Sequence, residues 1–532
     1  MLVASTALSL AAIAWSWRNR ALLNYGDAIA HLHIARRVFD SRFPGITELG
    51  SVWLPLPHLL MLLFVQVYAW WANGLAGTIP SALAWIASCV GLYRLARRFL
   101  PAPAAGLALA FFALNPNLLY LQTTAMTEPL FVCEMIWIVE ALVEWHSALE
   151  AEETPAVRRR QAWIAVLLLA AIYTRYDGWI MALLAWSAMG IVLLRRRQLR
   201  SLSFWTCSAV LVAAPFVWFA YNALAFGDWL DFARGPYSAQ AIEIRTAHGS
   251  GPPHPGWHDP WVGLLFFVKV AEMDALAAWR NVVFALSAIG TLGAWLVLRR
   301  RAFAWALLLW LPVPFYAWSV AYGSVPIFVP VWWPHSWYNT RYGMELLPAL
   351  ALGLGFVADF VLAAAREFKP RGHAFILGLL LALVALNAWG LARKRPLVYV
   401  EGALNLKARL PFDLAIPPVL RSELSRCPDG AVLMNTSVYP ELVALTGIPL
   451  RQTINEADRQ IDRDALADPA GHAALVLAFE GDAVDAAVKA HPAGLIAVAH
   501  FTAKGQAPGT LYVSDSCRAG SALSPRAQLP SQ

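Results

Sequence analysis

Four ionisable residues lie beside strongly apolar segments, where a charge is costly unless it has a partner or a task. They are Asp27 in NYGDAIAHLHIARR, Glu128 in TEPLF, Arg175 in YTRYDGW and Arg341 in NTRYGMELLPAL. A carboxylate in such a place can act as a general base, and an arginine can grip an anionic group through two hydrogen bonds. The chemistry to expect is proton transfer and anion binding near an apolar phase.

The segment that contains Asp27 is predicted to form an amphipathic helix from Gly26 that lies along a membrane surface. Asp27 and His31, one helical turn apart, fall at the edge of the apolar side. An amphipathic connector in which Asp27 caps free amides is the alternative. The helical pattern puts Ala28, Leu32, Ile34, Ala35, Val38 and Phe39 on one face and His33, Arg36, Arg37 and Asp40 on the other.

The composition excludes a soluble globular protein. Of 532 residues, 59% are apolar and 14% charged, which is typical of a polytopic membrane protein. The sequence contains no nucleic-acid motif. Apolar runs cover residues 2–17, 79–98, 104–121, 129–148, 161–175, 178–194, 201–222, 279–298, 302–320, 342–364 and 373–391. We therefore predict a mostly α-helical bundle of about eleven membrane-spanning helices.

Basic clusters predict the orientation of these helices. The clusters are Arg94/Arg97/Arg98, Arg158–Arg160, Arg195–Arg197, Arg299–Arg301 and Arg366/Lys369/Arg371, and they fall on one side, which is then cytoplasmic. The loops that contain Glu128, Arg175, residues 223–262 and residues 321–341 fall on the other side. Residues 55–71 are apolar enough to span, which would place Asp27 in the cytoplasm. Prolines, a histidine and a glutamine interrupt this run, so we interpret it as a second interfacial or re-entrant helix.

The tail changes character after residue 392. Short apolar runs alternate with helical stretches, which indicates a small soluble α/β domain without a catalytic motif. We expect two domains, a transmembrane domain over 1–392 and an extracytoplasmic domain over 393–532. Cys427 and Cys517 lie in this tail, and the sequence leaves open whether they pair or are separate thiols.

The ordered set of NYGDAIAHLHIARR, WLPLPHLLML, TEPLF, YTRYDGW and NTRYGMELLPAL resembles the GT-C superfamily of membrane glycosyltransferases, such as enzymes of the protein O-mannosyltransferase and aminoarabinose transferase types. The resemblance covers about the first 390 residues. It implies a bundle with two membrane-surface helices in the first external loop. It also implies a polyprenyl-phosphate sugar donor used at the external face, and an acceptor that is a glycan, a lipid or a protein. Many relatives have Asp-Glu at the first motif, whereas Asp27 is followed by Ala28.

The chemistry of such a transfer suggests a role for each candidate residue. Asp27 is the expected general base of an inverting transfer, and Glu128 orients the acceptor or, with Asp27, holds a divalent cation. Arg341 is the first candidate for the donor phosphate, with Arg175 and His31 behind it. Snorkelling to lipid head groups is the alternative for both arginines. The supporting residues are Asp177, Tyr342 and His33, with Asp177 expected to pair with Arg175.

Two alternatives to this function stay open. One is a transporter or lipid flippase, since ionisable residues near membrane helices also mark transport paths. The other is a ligase or polymerase of the same fold that uses lipid-pyrophosphate donors. For the glycosyltransferase we expect a bacterial inner-membrane protein whose active site and C-terminal domain face the periplasm or exterior. The loop PPHPGWHDP, with His254, His258 and Asp259, looks like a metal cluster but is better interpreted as a stiff external loop over the acceptor groove.

Overall fold

The computed structural model describes residues 1–246, 252–298, 301–365 and 369–518. Arg299, Arg300 and Arg366 of the basic clusters lie outside these ranges. The chain forms two compact units, each assembled from separate stretches of sequence. The first comprises residues 1–19, 51–57 and 78–401, and the second comprises 20–50, 58–77 and 402–532.

The described residues are mostly helical. The α-helices in chain order are α1 Leu2–Arg18, α2 Gly26–Asp40, α3 Leu56–Met61, α4 Tyr68–Asn73, α5 Leu75–Arg97, α6 Ala102–Ala113, α7 Pro116–Leu121, α8 Glu128–Glu150, α9 Thr154–Thr174, α10 Tyr176–Arg195, α11 Leu202–Phe226, α12 Asp231–Arg234, α13 Ala239–Thr246, α14 Pro260–Ala275, α15 Arg280–Leu298, α16 Pro312–Tyr322, α17 Leu347–Ala365, α18 Lys369–Arg393, α19 Leu397–Leu424, α20 Glu441–Thr446, α21 Gln460–Ala467, α22 Pro469–His472, α23 Ala483–Ala490 and α24 Asp515–Arg518. Short 3₁₀ helices cover Ile46–Leu49, Arg301–Trp310, Thr340–Leu346 and Leu450–Gln452.

Seven helical segments in the described ranges are long and apolar enough to cross a membrane. They are Leu75–Arg97, Tyr176–Arg195, Leu202–Phe226, Arg280–Leu298, Ala302–Tyr322, Thr340–Ala365 and Arg371–Leu424. The protein is thus an integral membrane protein, and the prediction of a mostly helical polytopic bundle is confirmed. The count of about eleven spans stays a prediction.

One expected span is broken. The run 104–121 was predicted to be a single helix, but α6 ends at Ala113 and α7 begins at Pro116. The physical reason is local, since Asn115 accepts hydrogen bonds from the backbone N–H groups of Asn117 and Leu118 and so starts a new helix.

Charged residues inside the first unit are paired across helices. Arg94 of α5 contacts Glu140 and Glu144 of α8, each at 3.1 Å, and Arg98 contacts the same two carboxylates. Glu140 and Glu144 are buried, so the arginines supply the countercharge that burial demands. These pairs explain how a helix as apolar as α8 carries acidic side chains.

The second unit joins the first loop of the chain to its C-terminal part. Arg42 donates to the carbonyl oxygen of Thr453 at 2.8 Å, and Arg451 pairs with Asp40 at 3.2 Å. The predicted run 55–71 overlaps two separate six-residue helices, α3 Leu56–Met61 and α4 Tyr68–Asn73, each about 9 Å long. Neither is long enough to cross a bilayer, so this stretch does not span as a continuous helix.

Helix α2 begins at Gly26 as predicted, but its faces differ in part from the expectation. Phe39 was placed on the apolar face and is 47% exposed, whereas His33 and Asp40 were placed on the polar face and are buried. The reason is pairing with neighbours. Asp40 contacts Arg36 at 2.9 Å, and the His33 ring lies 5.1 Å from that of Trp71.

The C-terminal part contains the expected α/β fold. Its strands are β1 Val432–Met434, β2 Thr453–Ile454, β3 Leu475–Phe479, β4 Leu495–Phe501 and β5 Gly509–Ser514, in the sheet order β2-β1-β3-β5-β4. Strand β1 is parallel to β2 and β3, while β5 is antiparallel to β3 and β4. Cys427 and Cys517 form a disulfide, which answers the question that the sequence left open.

Candidate active site

Ionisable residues from four parts of the first unit meet in one buried cluster, which we call the arginine cluster. It is centred on Arg175, between α9 and α10, and Arg341, in the 3₁₀ helix Thr340–Leu346. Arg175 has an extended backbone between two helices, and the absence of a side chain on Gly178 lets α10 approach the carbonyl oxygen of Ala171. This tight turn fixes the backbone position from which the Arg175 side chain extends.

Arg175 is held by side chains from α8, α10, α16 and the 3₁₀ helix. Its contacts are Thr127 Oγ1 at 2.9 Å, Glu128 Oε1 at 3.3 Å, Asp177 Oδ2 at 3.2 Å, Tyr316 Oη at 2.8 Å and Glu345 Oε1 at 3.2 Å. Tyr316 also donates to Glu345 Oε1 at 2.8 Å. The predicted Arg175–Asp177 pair is therefore present, within a larger network.

Arg341 is held from two sides. Its Nε donates to Glu128 Oε1 at 3.0 Å, and its Nη1 donates to Glu401 Oε1 at 3.4 Å. Glu401 also accepts from the backbone N–H groups of Asn339 and Thr340, each at 2.8 Å. Asn339 has φ = 55°, a left-handed conformation that asparagine tolerates better than most residues. Glu401 thus fixes both the backbone that precedes Arg341 and its guanidinium group.

Glu128 joins the two arginines. Its Oε1 accepts from Arg175 and from Arg341, and the residue is 1% exposed. Two guanidinium groups face four buried carboxylates, those of Glu128, Asp177, Glu345 and Glu401. Buried charges persist only with such partners. The carboxylates consequently hold both guanidinium groups in fixed positions.

Tyr342 packs against both arginines. Its ring centre lies 5.0 Å from the Arg341 guanidinium carbon and 5.1 Å from that of Arg175. The ring also stacks on Tyr316, with centroids 5.0 Å apart. Cation–π contacts of this kind hold guanidinium groups in place and favour a buried positive charge. Five predicted site residues, Glu128, Arg175, Asp177, Arg341 and Tyr342, are therefore brought together.

The other three predicted site residues, Asp27, His31 and His33, lie on α2 in the second unit. Asp27 is half-buried in the first helical turn. His31 is buried, and its Nδ1 lies 2.8 Å from Nε2 of His58, so one of the two rings donates to the other. Burial, with Arg37 nearby, lowers the pKa of His33 to about 3, so that its ring is neutral near pH 7.

No metal centre is evident in the described residues, since no group of three His, Cys, Asp or Glu side chains there could hold an ion. The polar residues of the PPHPGWHDP loop make hydrogen bonds and an ion pair within the protein. Asp259 accepts from the N–H groups of Trp261 and Val262 and so caps α14. His254 Nε2 lies 2.9 Å from Glu243 Oε1.

Comparison with known proteins places this geometry in a known fold. The sequence matches no family model and no curated protein. The structure matches that of ArnT from Cupriavidus metallidurans bound to undecaprenyl phosphate, with a TM-score of 0.58 and 14% identity, over 96% of this chain and 97% of that chain. This chain has the ArnT fold. The apo state of ArnT gives a TM-score of 0.58 and 13% identity, over 95% and 97%.

A weaker match is the Archaeoglobus fulgidus oligosaccharyltransferase tethered to an acceptor peptide. It has a TM-score of 0.42 and 10% identity, over 95% of this chain and 74% of that chain. The match to ArnT confirms, as a resemblance in fold, the resemblance that the ordered motifs indicated.

Several residues of the arginine cluster of this ArnT-like fold were missed from the sequence. Glu345 and Thr340 lie in the NTRYGMELLPAL motif, where an acid at the start of an apolar helix was a usable signal. Tyr316 lies inside an apolar run and carried no signal. Glu401 follows the predicted boundary at residue 392 and was attributed to the soluble tail, although helix α19 includes it.

Proposed function

We propose that this protein is a glycosyltransferase that moves a sugar from a polyprenyl-phosphate donor to an acceptor glycan, lipid or protein, with inversion at the anomeric carbon. The observation that carries the proposal is the ArnT-like fold over almost the whole chain, because that ArnT structure holds undecaprenyl phosphate. At 14% identity the likeness establishes the fold, so the reaction itself is inferred.

The arginine cluster is the proposed site for the donor phosphate. Cleavage of the bond between sugar and phosphate builds negative charge on the leaving oxygen, which fixed cationic donors stabilise. Arg341 is proposed to be the main ligand, with Arg175 beside it and His31 as a third donor. A phosphate would compete with Glu128 for the guanidinium N–H groups, because Oε1 of Glu128 already binds both arginines. Glu128 would then be released to orient the acceptor.

Asp27 is the proposed general base. An acceptor hydroxyl is a weak nucleophile, and a carboxylate that takes its proton during attack typically accelerates such a step by about 10²- to 10⁴-fold. Asp27 is half-buried in the first turn of α2, where a carboxylate beside apolar residues needs a partner or a task. A role for Asp27 and Glu128 in holding a divalent cation is the secondary form of the proposal.

The external face of a bacterial inner membrane is the proposed location of the reaction. Asp27 belongs to the same compact unit as the disulfide between Cys427 and Cys517. Disulfides persist in oxidising compartments such as the periplasm. Within this unit Arg409 donates to the carbonyl oxygens of Leu23 and Asn24, just before the Asp27 helix. These contacts support an extracytoplasmic Asp27.

The test is transfer by purified full-length protein in lipid nanodiscs. Undecaprenyl phosphates that carry radiolabelled pentoses, aminopentoses or hexoses are offered with envelope extracts, beside matched pyrophosphate donors. We expect label in the acceptor and release of undecaprenyl phosphate from monophosphate donors only. Transfer from pyrophosphate donors alone would instead establish the ligase or polymerase alternative. Movement of intact donor across vesicles without covalent transfer would establish the flippase alternative.

A further inference from the structure

A cavity of about 310 Å³ lies in the first unit, apart from the arginine cluster. It is formed by α13, by the PPHPGWHDP loop and by the end of α16. Its lining includes Gln240, Glu243, Trp257, His258, Tyr322 and Ser324. The volume is at the small end of the range for small-molecule pockets, enough for one ring rather than a chain of them.

One wall of the cavity is aromatic and exposed. Trp257 is 42% exposed and Tyr322 is 47% exposed, although large aromatic side chains usually bury most of their surface. The ring centre of His258 lies 4.1 Å from that of Trp257 and 5.5 Å from that of Tyr322, which makes one continuous surface. Such a surface offers flat faces against which the C–H groups of a sugar ring can pack.

The lining also includes an oriented carboxylate. Glu243 Oε2 accepts from Ser324 Oγ at 2.6 Å, and Glu243 Oε1 lies 2.9 Å from Nε2 of the buried His254. Both contacts fix the acid without placing a formal positive charge from lysine or arginine beside it. The described residues that line the cavity include no lysine or arginine. The carboxylate of Glu243 repels a phosphate or another anion, whereas hydroxyl or amino groups find an acceptor in it.

The cavity and the arginine cluster are connected by one helix. Tyr316 of α16 binds Arg175, and Tyr322 of the same helix lines the cavity. Six residues of α-helix correspond to about 9 Å along the axis. The backbone N–H of His258 donates to the carbonyl oxygen of Ala321 at 2.9 Å, which ties the loop to this helix end. The two sites are thus separated by a fixed, short distance.

We propose that this cavity is a carbohydrate-binding subsite that holds one neutral or amino sugar ring between the Trp257–Tyr322 wall and Glu243. Binding of a ring depends only on the cavity. The assignment of this sugar ring to the acceptor glycan rests on the proposed glycosyltransferase function. The length of α16 between Tyr316 and Tyr322 then sets the distance between the ring and the donor phosphate.

The experiment measures sugar binding without any donor lipid, so its outcome is independent of transfer. Full-length protein in nanodiscs is examined by saturation-transfer NMR with methyl glucoside, methyl galactoside, methyl arabinoside, glucosamine and glucose 6-phosphate. Trp257→Ala removes the wall, Trp257→Phe keeps a ring, and Trp229→Ala is the control, because Trp229 is similarly exposed outside the cavity.

We expect at least one neutral or amino sugar to bind, with about tenfold weaker binding in Trp257→Ala and less than about threefold change in Trp257→Phe or Trp229→Ala. Glu243→Ala should weaken the same sugar, while Glu243→Gln retains most of the binding of a neutral one. The proposal is overturned if no sugar binds, if only glucose 6-phosphate binds, or if Trp257→Ala and Trp229→Ala bind equally. Equal binding would indicate that these tryptophans serve only the membrane interface. If the protein binds sugar as expected but does not transfer it, the subsite proposal stands and the proposed transferase function is wrong.

Discussion

Replacing Arg409 with methionine is expected to loosen the start of the Asp27 helix. Arg409 lies on α19, and its Nη2 donates to the carbonyl oxygen of Leu23 at 2.5 Å, with Nη1 3.4 Å from that of Asn24. These carbonyls precede α2, whose N-terminal end has no side-chain cap. The guanidinium group is therefore a tether between the C-terminal part of the second unit and the segment that carries the proposed base.

The size of the effect follows from the two acidic residues that lose their partner when Arg409 is replaced. Arg409 Nε contacts Asp413 at 3.2 Å and lies 4.0 Å from Glu441, and the side chains of both acids are less than 10% exposed. Removal of one partner from a buried ion pair typically costs about 3–5 kcal/mol. A cost of about 3 kcal/mol corresponds to more than a hundredfold increase in local opening.

The assay is hydrogen exchange, measured by mass spectrometry on the protein in nanodiscs. Arg421→Met is the matched control, because Arg421 lies on the same helix and also donates to two carbonyl oxygens, those of Leu445 and Thr446. It has no contact with the segment before Asp27 among the hydrogen bonds of the described residues. Arg409→Met should accelerate exchange over residues 20–30 by about a hundredfold, and Arg421→Met should not. Equal exchange over 20–30 in the two variants would refute the tether.

Three further predictions concern stability and donor binding. Burial raises the pKa of Glu48 to about 7 from 4.5, so its contribution to stability is complete below pH 4.5 and lost as the pH rises through 7. Thermal melts over this pH range should show that the wild type loses up to about 3 kcal/mol of its free energy of unfolding, whereas Glu48→Gln does not. The same pH dependence in both proteins would contradict this prediction. Serine at both Cys427 and Cys517 should lower stability by about 2–5 kcal/mol, and an unchanged melting temperature would show that the disulfide contributes nothing. Arg341→Lys should lower kcat/KM for the donor about tenfold or more, because lysine lacks the bidentate fork; an unchanged value would remove Arg341 from the phosphate site.

The sequence identified residues of the arginine cluster better than it identified their partners. Charges at the ends of apolar runs are conspicuous, because a bilayer tolerates them only for a reason, and this signal identified Glu128, Arg175 and Arg341. It could not indicate that one oxygen of Glu128 binds both arginines, since those contacts join residues 47 and 213 positions apart. The pairing is a property of the packed bundle.

For the fold, too, the sequence predicted the elements but not the contacts between them. Hydropathy identified the helical bundle, and alternating short runs identified the C-terminal sheet. Helix ends depended on local hydrogen bonds that hydropathy does not include, as at Asn115, where a cap divides an apolar run in two. Helix faces depended on tertiary partners, so that His33 is buried against Trp71 while Phe39 is exposed.

Asp27 is proposed to take the proton of the acceptor during sugar transfer, and the single-turnover rate of Asp27→Asn tests this role. Asparagine preserves the shape of the side chain but cannot accept the proton, so transfer should slow by about 10²- to 10⁴-fold with the melting temperature unchanged. Asp27→Glu should retain part of the rate. Transfer by the folded Asp27→Asn protein at the wild-type rate would contradict the account.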